Sequence, residues 1–281
     1  MLAISQLTLV KKDFSRFSEL NPLRRFQPTS ETIINSPSAK FAHIPRRDLV
    51  KVLSWNIAKN NHQPNWSRDF IAIVEQYQPD KIFLQEVSLR ADIPEIPELS
   101  GMNWVFAPNS IDTFTNTYSG VLIATKYDRL NTQAILTEHY EPILNTPKVS
   151  LYTYHDLFKH PEALLAANAH LINFVSDRKF QAQLQQIESV LTKHQGAIIL
   201  AGDFNTWNGS RCIMLQQMAE RLNLTAVSFT ARDTKKIKNF IFSEPLDRIY
   251  YRGFIQKPDS ARVIDSIDSS DHNPLFVELS I

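Results

Sequence analysis

Apolar and polar positions alternate between two textures along this chain. "LVKVLSWNI" (49–57), "KIFLQEV" (81–87), "WVFAPNS" (104–110), "SGVLIATKY" (119–127), "KVSLYTYHDL" (148–157), "ALLAANAHL" (163–171) and "IILAGDFN" (198–205) read as buried strands, and "LDRIYYRG" (246–253), "ARVIDSI" (261–267) and "PLFVELS" (274–280) close the chain in the same way. Between them lie helical spacings. "WSRDFIAIVEQYQ" puts Phe70, Ile73, Val74 and Tyr77 on one face and ends before Pro79. "DRKFQAQLQQIESVLTKHQG" puts Phe180, Leu184, Ile187 and Leu191 on one face, with Gly196 as its stop, and "SRCIMLQQMAERLNL" predicts a third helix. Many strands with few long helices predict two stacked sheets with helices outside. A doubly wound parallel sheet would need more helices between strands.

Residues 1–48 lack either period and are broken by Pro22, Pro28, Pro37 and Pro45. They predict an N-terminal arm that is packed on the domain as an extended segment or partly irregular, leaving 49–281 as the folded domain. Composition narrows the picture further. The 281 residues are 43% hydrophobic with a net charge of +1, which gives no global basic field for nonspecific nucleic-acid binding. One cysteine, Cys212, excludes an intrachain disulfide and a multi-cysteine zinc site. In the opening "MLAISQLTLVKKDF" the basic residues follow the apolar ones, the reverse of a secretory signal, and no run approaches a membrane span; the expectation is a soluble, cytoplasmic protein with no obligate protein partner. Only 6 glycines are present, and none form a phosphate-binding loop.

The chemistry is written at the strand ends. Asn56, Glu86, Asn168 with His170, Asp203 with Asn205, Asp247, and Asp271 with His272 each close or follow an apolar run. A buried polar group is costly unless paired or ligated, so this many at matching positions predict convergence on one polar site. Each alone has an ordinary reading: a turn former, a surface ion pair or a hydrogen-bonded core histidine.

The ordered set "SWNI", "LQEV", "NAHL", "GDFN", "LDRIY" and "SDHN" resembles the endonuclease/exonuclease/phosphatase superfamily over about residues 50–281, and most of all a small bacterial branch with "GDFN" followed by a tryptophan and "SDHNPL". The resemblance implies a DNase I-like α/β fold, a four-layer α/β/β/α sandwich. It implies a hydrolase of phosphoesters that uses Mg2+, with Mn2+ as a substitute. Glu86 would be the main metal carboxylate, with Asn56 beside it and Asp271 near the metal. Asp203 would orient or deprotonate water, Asn205 would donate to a phosphate oxygen, and His170 would sit by the leaving group. His272 would contact the scissile phosphate, held by Asp247. Some nucleases of the family carry an Asp two residues after the Asn; Ala58 stands there, which counts against a two-metal arrangement.

A nucleic-acid phosphodiester is the leading substrate, with Trp207, Arg211 and Arg232 as contacts, among other basic residues of which "ARDTKKIKNF" (231–240) is the densest run. The alternatives are a phosphatase or phospholipase-like enzyme on a small or lipid phosphoester, and a binding module that grips a phosphoester without cleaving it. The lipid version is weakened because no aromatic-rich hairpin stands out in the sequence.

Overall fold

The computed structural model describes residues 25–29, 33–36, 48–127, 129–157, 162–239 and 244–281. One mixed sheet carries β1 (Phe26–Pro28), β2 (Ile34–Asn35), β3 (Leu49–Asn56), β4 (Lys81–Arg90), β5 (Asn103–Asp112), β6 (Thr117–Thr125), β13 (Ile255–Gln256), β14 (Arg262–Val263) and β15 (Leu275–Ser280). Its main path runs β1-β5-β6-β4-β3-β15-β13. The second holds β7 (Asn131–Leu136), β8 (Val149–His155), β9 (Leu164–His170), β10 (Ile198–Asp203), β11 (Thr225–Ala226) and β12 (Asp247–Arg252), in the order β11-β12-β10-β9-β8-β7. Helix α1 (Pro64–Tyr77) covers the first sheet, and α2 (Asp177–Leu191) and α3 (Gly209–Arg221) cover the second; α4 (Ala231–Thr234) is a single turn.

The strands read as unbroken apolar runs because both of their faces are buried. In β10, Ile199 and Ala201 join the layer between the sheets, while Ile198 and Leu200 pack under α2 and α3. In β3, Val50 and Val52 face the inner layer, while Leu53 and Trp55 meet Trp66, Phe70 and Ile73 of α1. The period of two then fixes where the polar residues go. Asn56 follows Val50 and Val52 on the inner face of β3. His170 follows Leu164 and Ala166 in β9, Asp203 follows Ile199 and Ala201 in β10, and Asp247 precedes Ile249 and Tyr251 in β12. Four strand ends therefore aim polar side chains into the gap between the sheets.

Asn168 fastens that gap. Its Nδ2 donates to the backbone oxygens of Leu84 (2.9 Å) and Leu122 (2.8 Å) in the facing sheet, and its Oδ1 accepts from Gln85 Nε2 (2.8 Å). Gly202 permits the close approach of β9 and β10 at the same level. Its φ is +152°, and a Cβ there would lie 1.8 Å from the Ala169 oxygen, so only glycine fits.

Several elements depart from the sequence reading. Helix α2 ends at Leu191, before Gly196, with its capping N–H bonded to Glu188 O. The run "ARVIDSI" pairs only at Arg262–Val263. β7 was not foreseen: it lies at the edge of its sheet and none of its residues is fully buried, so its apolar signal is thin. In the arm, Phe26–Pro28 and Ile34–Asn35 add to β5 as antiparallel strands. Among the described residues, no helix is long and apolar enough to cross a membrane.

Asn168→Ala removes the side-chain donors to two carbonyl oxygens and the shortest bond of the Gln85 amide, which keeps its longer bonds to Phe83 O and Ser54 Oγ, in a dry layer. Its expected cost is about 2–4 kcal/mol, read as a lower urea midpoint with an unchanged m-value.

Candidate functional site

Strand register sets the site. Asp203 lies opposite Asp247 across the β10–β12 pair and opposite His170 across the β9–β10 pair. Asn56 reaches over from the other sheet, donating from Nδ2 to Asp203 Oδ2 (3.0 Å), while the Asn205 N–H donates to Asp203 Oδ1 (3.0 Å). His272, in the loop entering β15, meets Asp247 through Nδ1 and Oδ2 at 2.7 Å. His170 Nε2 stands 3.6 Å from Asp203 Oδ2 and 3.9 Å from Glu86 Oε1.

Glu86 arrives by a different device. The β4–β6 register slips between Leu84 and Val87, and this bulge leaves Glu86 at φ +53°. The loop after β3 is pinned to it: Ile57 N–H donates to Gln85 O (3.0 Å) and Lys59 N–H to Glu86 O (2.8 Å). A non-glycine residue held in the left-handed region is strained, and such strain gathers at functional sites. The Glu86 side chain remains 31% exposed, at the wall of a cleft shared with His170, Lys59, Lys148, Glu141, Asn109, Leu144 and Phe26.

Backbone braces hold the His272 loop. Trp55 Nε1 donates to His272 O (2.8 Å), Ser270 Oγ donates to Asn56 O (2.7 Å), and His272 N–H donates to Ser270 Oγ (3.2 Å). The loop carrying His272 is thus tied to the strand carrying Asn56.

Burial and charge push the two central groups in opposite chemical directions. Burial, and then the Asp247 charge, raise Asp203 to about 7, against the pull of His272 and the bonds from Asn205 and Asn56. Burial alone would lower His272; the Asp247 carboxylate overrides it, with help from Asp203 and Asp271, and raises it to about 9. His272 is a cation at neutral pH with Nε2 left for a ligand. His170 is the contrary case: burial, then the positive charges of Lys148, His272 and Lys59, hold it well below 6.5 as a neutral imidazole.

Two places could take a divalent cation. Ligand atoms of Asp203, Asp247 and His272 all lie within 4.8 Å of one another. That cluster is the poorer choice, because His272 Nδ1 and Asp247 Oδ2 are bonded to each other and Asp203 already accepts two hydrogen bonds. Glu86 fits better. It is a partly exposed oxygen donor facing neutral His170, and a hard, mostly hydrated cation such as Mg2+ suits one or two such oxygens and keeps the rest of its waters.

The other residues expected in the site fall out differently. Asn205 is buried at φ +48° and its side chain donates to Leu171 O (2.8 Å), so one amide hydrogen is already spent on backbone. Asp271 turns outward, 62% exposed at its side chain, and accepts from Lys238 Nζ (3.0 Å); it lines a separate open groove with Asn60 and Gln63 rather than the Glu86 cleft. Arg211 is fully buried and cannot meet a substrate. Its guanidinium donates to the oxygens of Ile172, Asn205 and Val175 and stacks between Phe180 (4.5 Å) and Trp207 (4.7 Å). It props the loops that carry Asn205 and Trp207. Trp207 is half-buried, its indole N–H bonded to Asn173 Oδ1 (2.8 Å). Arg232 is exposed on α4 and lines neither the cleft nor the groove. Two of the four cations of the basic run are ion-paired, Lys236 with Asp233 and Asp265 and Lys238 with Asp271, while Arg232 and Lys235 stay exposed; Phe240 lies outside the described residues.

Sequence reasoning passed over Glu141, Lys148, Asn109 and Phe26. Lys148 Nζ pairs with Glu141 Oε2 (3.4 Å), and Glu141 Oε1 accepts the Asn173 N–H (2.8 Å), so the pair ties two loops together at the cleft wall. Lys148 sits at the entrance of β8, as the candidate site residues sit at strand ends; that position was the available signal.

A family model described as Endonuclease/Exonuclease/phosphatase family matches residues 53–272. The chain is 34% identical over 233 residues to a UPF0294 protein of Vibrio campbellii, covering 83% of this chain and 78% of that one. Among solved structures, it is similar to an endonuclease/exonuclease/phosphatase from Beutenbergia cavernae (TM-score 0.64, 18% identity, 84% of this chain and 72% of that chain). It is similar also to the human Nocturnin catalytic domain with bound sulfate anion (TM-score 0.61, 18% identity, 88% of this chain and 96% of that chain). The two-sheet arrangement is the DNase I-like fold of these neighbours.

The raised His272 carries a linkage consequence. A group whose folded pKa is raised adds stability that is complete below its unfolded value near 6.5 and is lost as pH climbs through about 9. Buried Lys81, lowered to about 7, pulls the other way over the same range, so the test is the difference in urea unfolding free energy between the unaltered chain and His272→Gln, which is expected to shrink by on the order of 3 kcal/mol from pH 6.5 to 9.

Proposed function

This chain belongs to the endonuclease/exonuclease/phosphatase family, and from that membership we propose that it is a metal-dependent phosphodiesterase. The observation that carries the reading is the pairing of a buried carboxylate raised to about 7 with an imidazole raised to about 9 in one strand-end cluster. A proton acceptor and a fixed cation side by side suit attack of water on an anionic phosphorus.

Glu86 would hold Mg2+, whose charge would offset that of the phosphate and stabilise the departing oxygen, while Asn56 is committed to Asp203 through Nδ2 and to the Ala58 N–H through Oδ1. His272 presents Nε2 to a phosphate oxygen while Asp247 keeps its other nitrogen protonated and its ring fixed. Asp203 takes the proton of the attacking water; Asn56 and the Asn205 N–H hold its two oxygens in place. Neutral His170, between Glu86 and Asp203, offers a hydrogen bond without adding charge. The free hydrogen of the Asn205 amide is left for a phosphate oxygen. No covalent enzyme intermediate is needed.

A nucleic-acid diester and a lipid or small-molecule diester share this chemistry. The ion pairing of Lys236 and Lys238 leaves Arg232 and Lys235 as the exposed cations of the densest basic run, which thins the positive surface a nucleic acid would use and favours the second class. A binding module that grips without cleaving would have no use for a proton acceptor held near neutrality.

With Mg2+, hydrolysis of bis-p-nitrophenyl phosphate is expected to exceed that of p-nitrophenyl phosphate. Its pH profile should be bell-shaped, rising as Asp203 loses its proton near 7 and falling as His272 loses its own near 9. Asp203→Asn and Glu86→Gln should each lower kcat/KM by about a thousandfold or more. Tight phosphoester binding without turnover in the unaltered chain would sink the proposal and favour the binding module.

A further inference from the structure

A guanidinium without exposed surface sits in the first turn of α3. Arg211 is fully buried, its flat face held between the Phe180 and Trp207 rings. Asp177 Oδ1, the carboxylate paired with it, stands 3.7 Å from Nε on a side chain that is itself 41% exposed. A buried cation is costly, and an apolar side chain of similar volume would often serve stability as well or better. What the cation adds over apolar packing is direction, through three backbone oxygens.

Nη2 donates to Val175 O (2.8 Å), and Nη1 is shared between Ile172 O (3.3 Å) and Asn205 O (3.1 Å). One nitrogen thus ties the segment after β9 to the turn after β10. The two segments meet again one residue away, where Asn205 Nδ2 donates to Leu171 O (2.8 Å). Gln183 of α2 clamps the same segment: its Oε1 accepts the Ile172 N–H (2.7 Å), and its Nε2 donates to His170 O (3.0 Å).

Asn205 is the residue that needs the tie. Its φ of +48° is a left-handed backbone, which persists only where the surroundings over-determine it. Its neighbours are fastened elsewhere, the Phe204 N–H to Leu246 O (2.8 Å) and Thr206 Oγ1 to Pro245 O (2.9 Å). Arg211 holds the Asn205 carbonyl itself. With Ile172 and Asn205 fixed to one nitrogen, the Leu171 oxygen meets the same hydrogen of the Asn205 amide, and the other hydrogen keeps one direction. A lysine could not do this, because an ammonium has no flat face to lie between two rings and no fork to span three acceptors.

We propose that Arg211 is a positioning residue that aims the free hydrogen of the Asn205 amide at the phosphate, acting from behind the site without touching substrate. The phosphate contact rests on the phosphodiesterase reading; the hold on Asn205 does not.

The test is a double-mutant cycle of Arg211→Lys and Asn205→Gly on Mg2+-dependent hydrolysis of bis-p-nitrophenyl phosphate. Glycine deletes the amide and tolerates the left-handed backbone. Each single variant is expected to lower kcat by about 30-fold or more while KM stays within about threefold. The double variant should match Asn205→Gly to within about threefold, because the donor that Arg211 aims is already gone. Losses that multiply, or an unaltered kcat in either single variant, would overturn the proposal. Near-UV circular dichroism checks that Arg211→Lys folds. If it does not, Phe180→Leu, which loosens the stack and leaves the guanidinium, takes its place in the cycle and is read in the same way. A second readout needs no turnover: in NMR spectra of labelled protein, Arg211→Lys should move the Asn205 side-chain amide signals and leave those of Asn60 in place. Unmoved Asn205 signals would overturn the hold on that amide. Absent turnover in the unaltered chain would overturn the phosphodiesterase reading, and the amide signals then decide the role of Arg211.

Discussion

The carboxamide of Asn168 joins the two sheets at the level where the site begins. Its three hydrogen bonds reach two strands of the facing sheet through Leu84 and Leu122 and a third point through Gln85. The gap between the sheets is otherwise filled by apolar contacts, which are non-directional and would tolerate sliding. A buried amide does not tolerate it, because each lost bond leaves a dry polar atom. With the sheets fixed there, Asn56 on one and Asp203 on the other meet at 3.0 Å two residues further along the same faces. The geometry of the candidate site follows from the register.

Beyond Asn168 the interior stops being apolar, and charges are held in compensation. Asp203 and Asp247 lie opposite each other in adjacent strands, both buried. Two carboxylates so placed would repel in a low-dielectric setting, and the His272 cation between them offsets that repulsion. The same arrangement raises Asp203 to about 7 and His272 to about 9, so that above pH 7 an ionised Asp203 stands beside a protonated His272, the pair the proposed hydrolysis calls for. The left-handed backbone at Glu86 and Asn205 is the strained part of this design, and both are pinned by hydrogen bonds to neighbouring backbone.

Much of this was legible because strand periodicity is legible. Runs such as "IILAGD" and "LLAANAH" announce strands buried on both faces, and a polar residue ending each run announces the convergence. Gly202 could be recognised as a place of close approach. What could not be read depends on which way a side chain turns once the loops fold. Arg211 looks like a substrate contact in one dimension, yet the loops of Ile172 and Val175 wrap it and leave no exposure. Asp271 adjoins His272 in sequence but turns to Lys238. The Glu141–Lys148 pair belongs to the irregular segment between β7 and β8, where no period links sequence to direction.

The claim that most of the chemistry rests on is the charge on His272, and an NMR titration of its imidazole nitrogens in the folded protein tests it directly. The account predicts both nitrogens protonated at neutral pH and a midpoint near 9, falling in Asp247→Asn. A His272 ring that is neutral at pH 7.5, titrating at or below its ordinary 6.5, would contradict it.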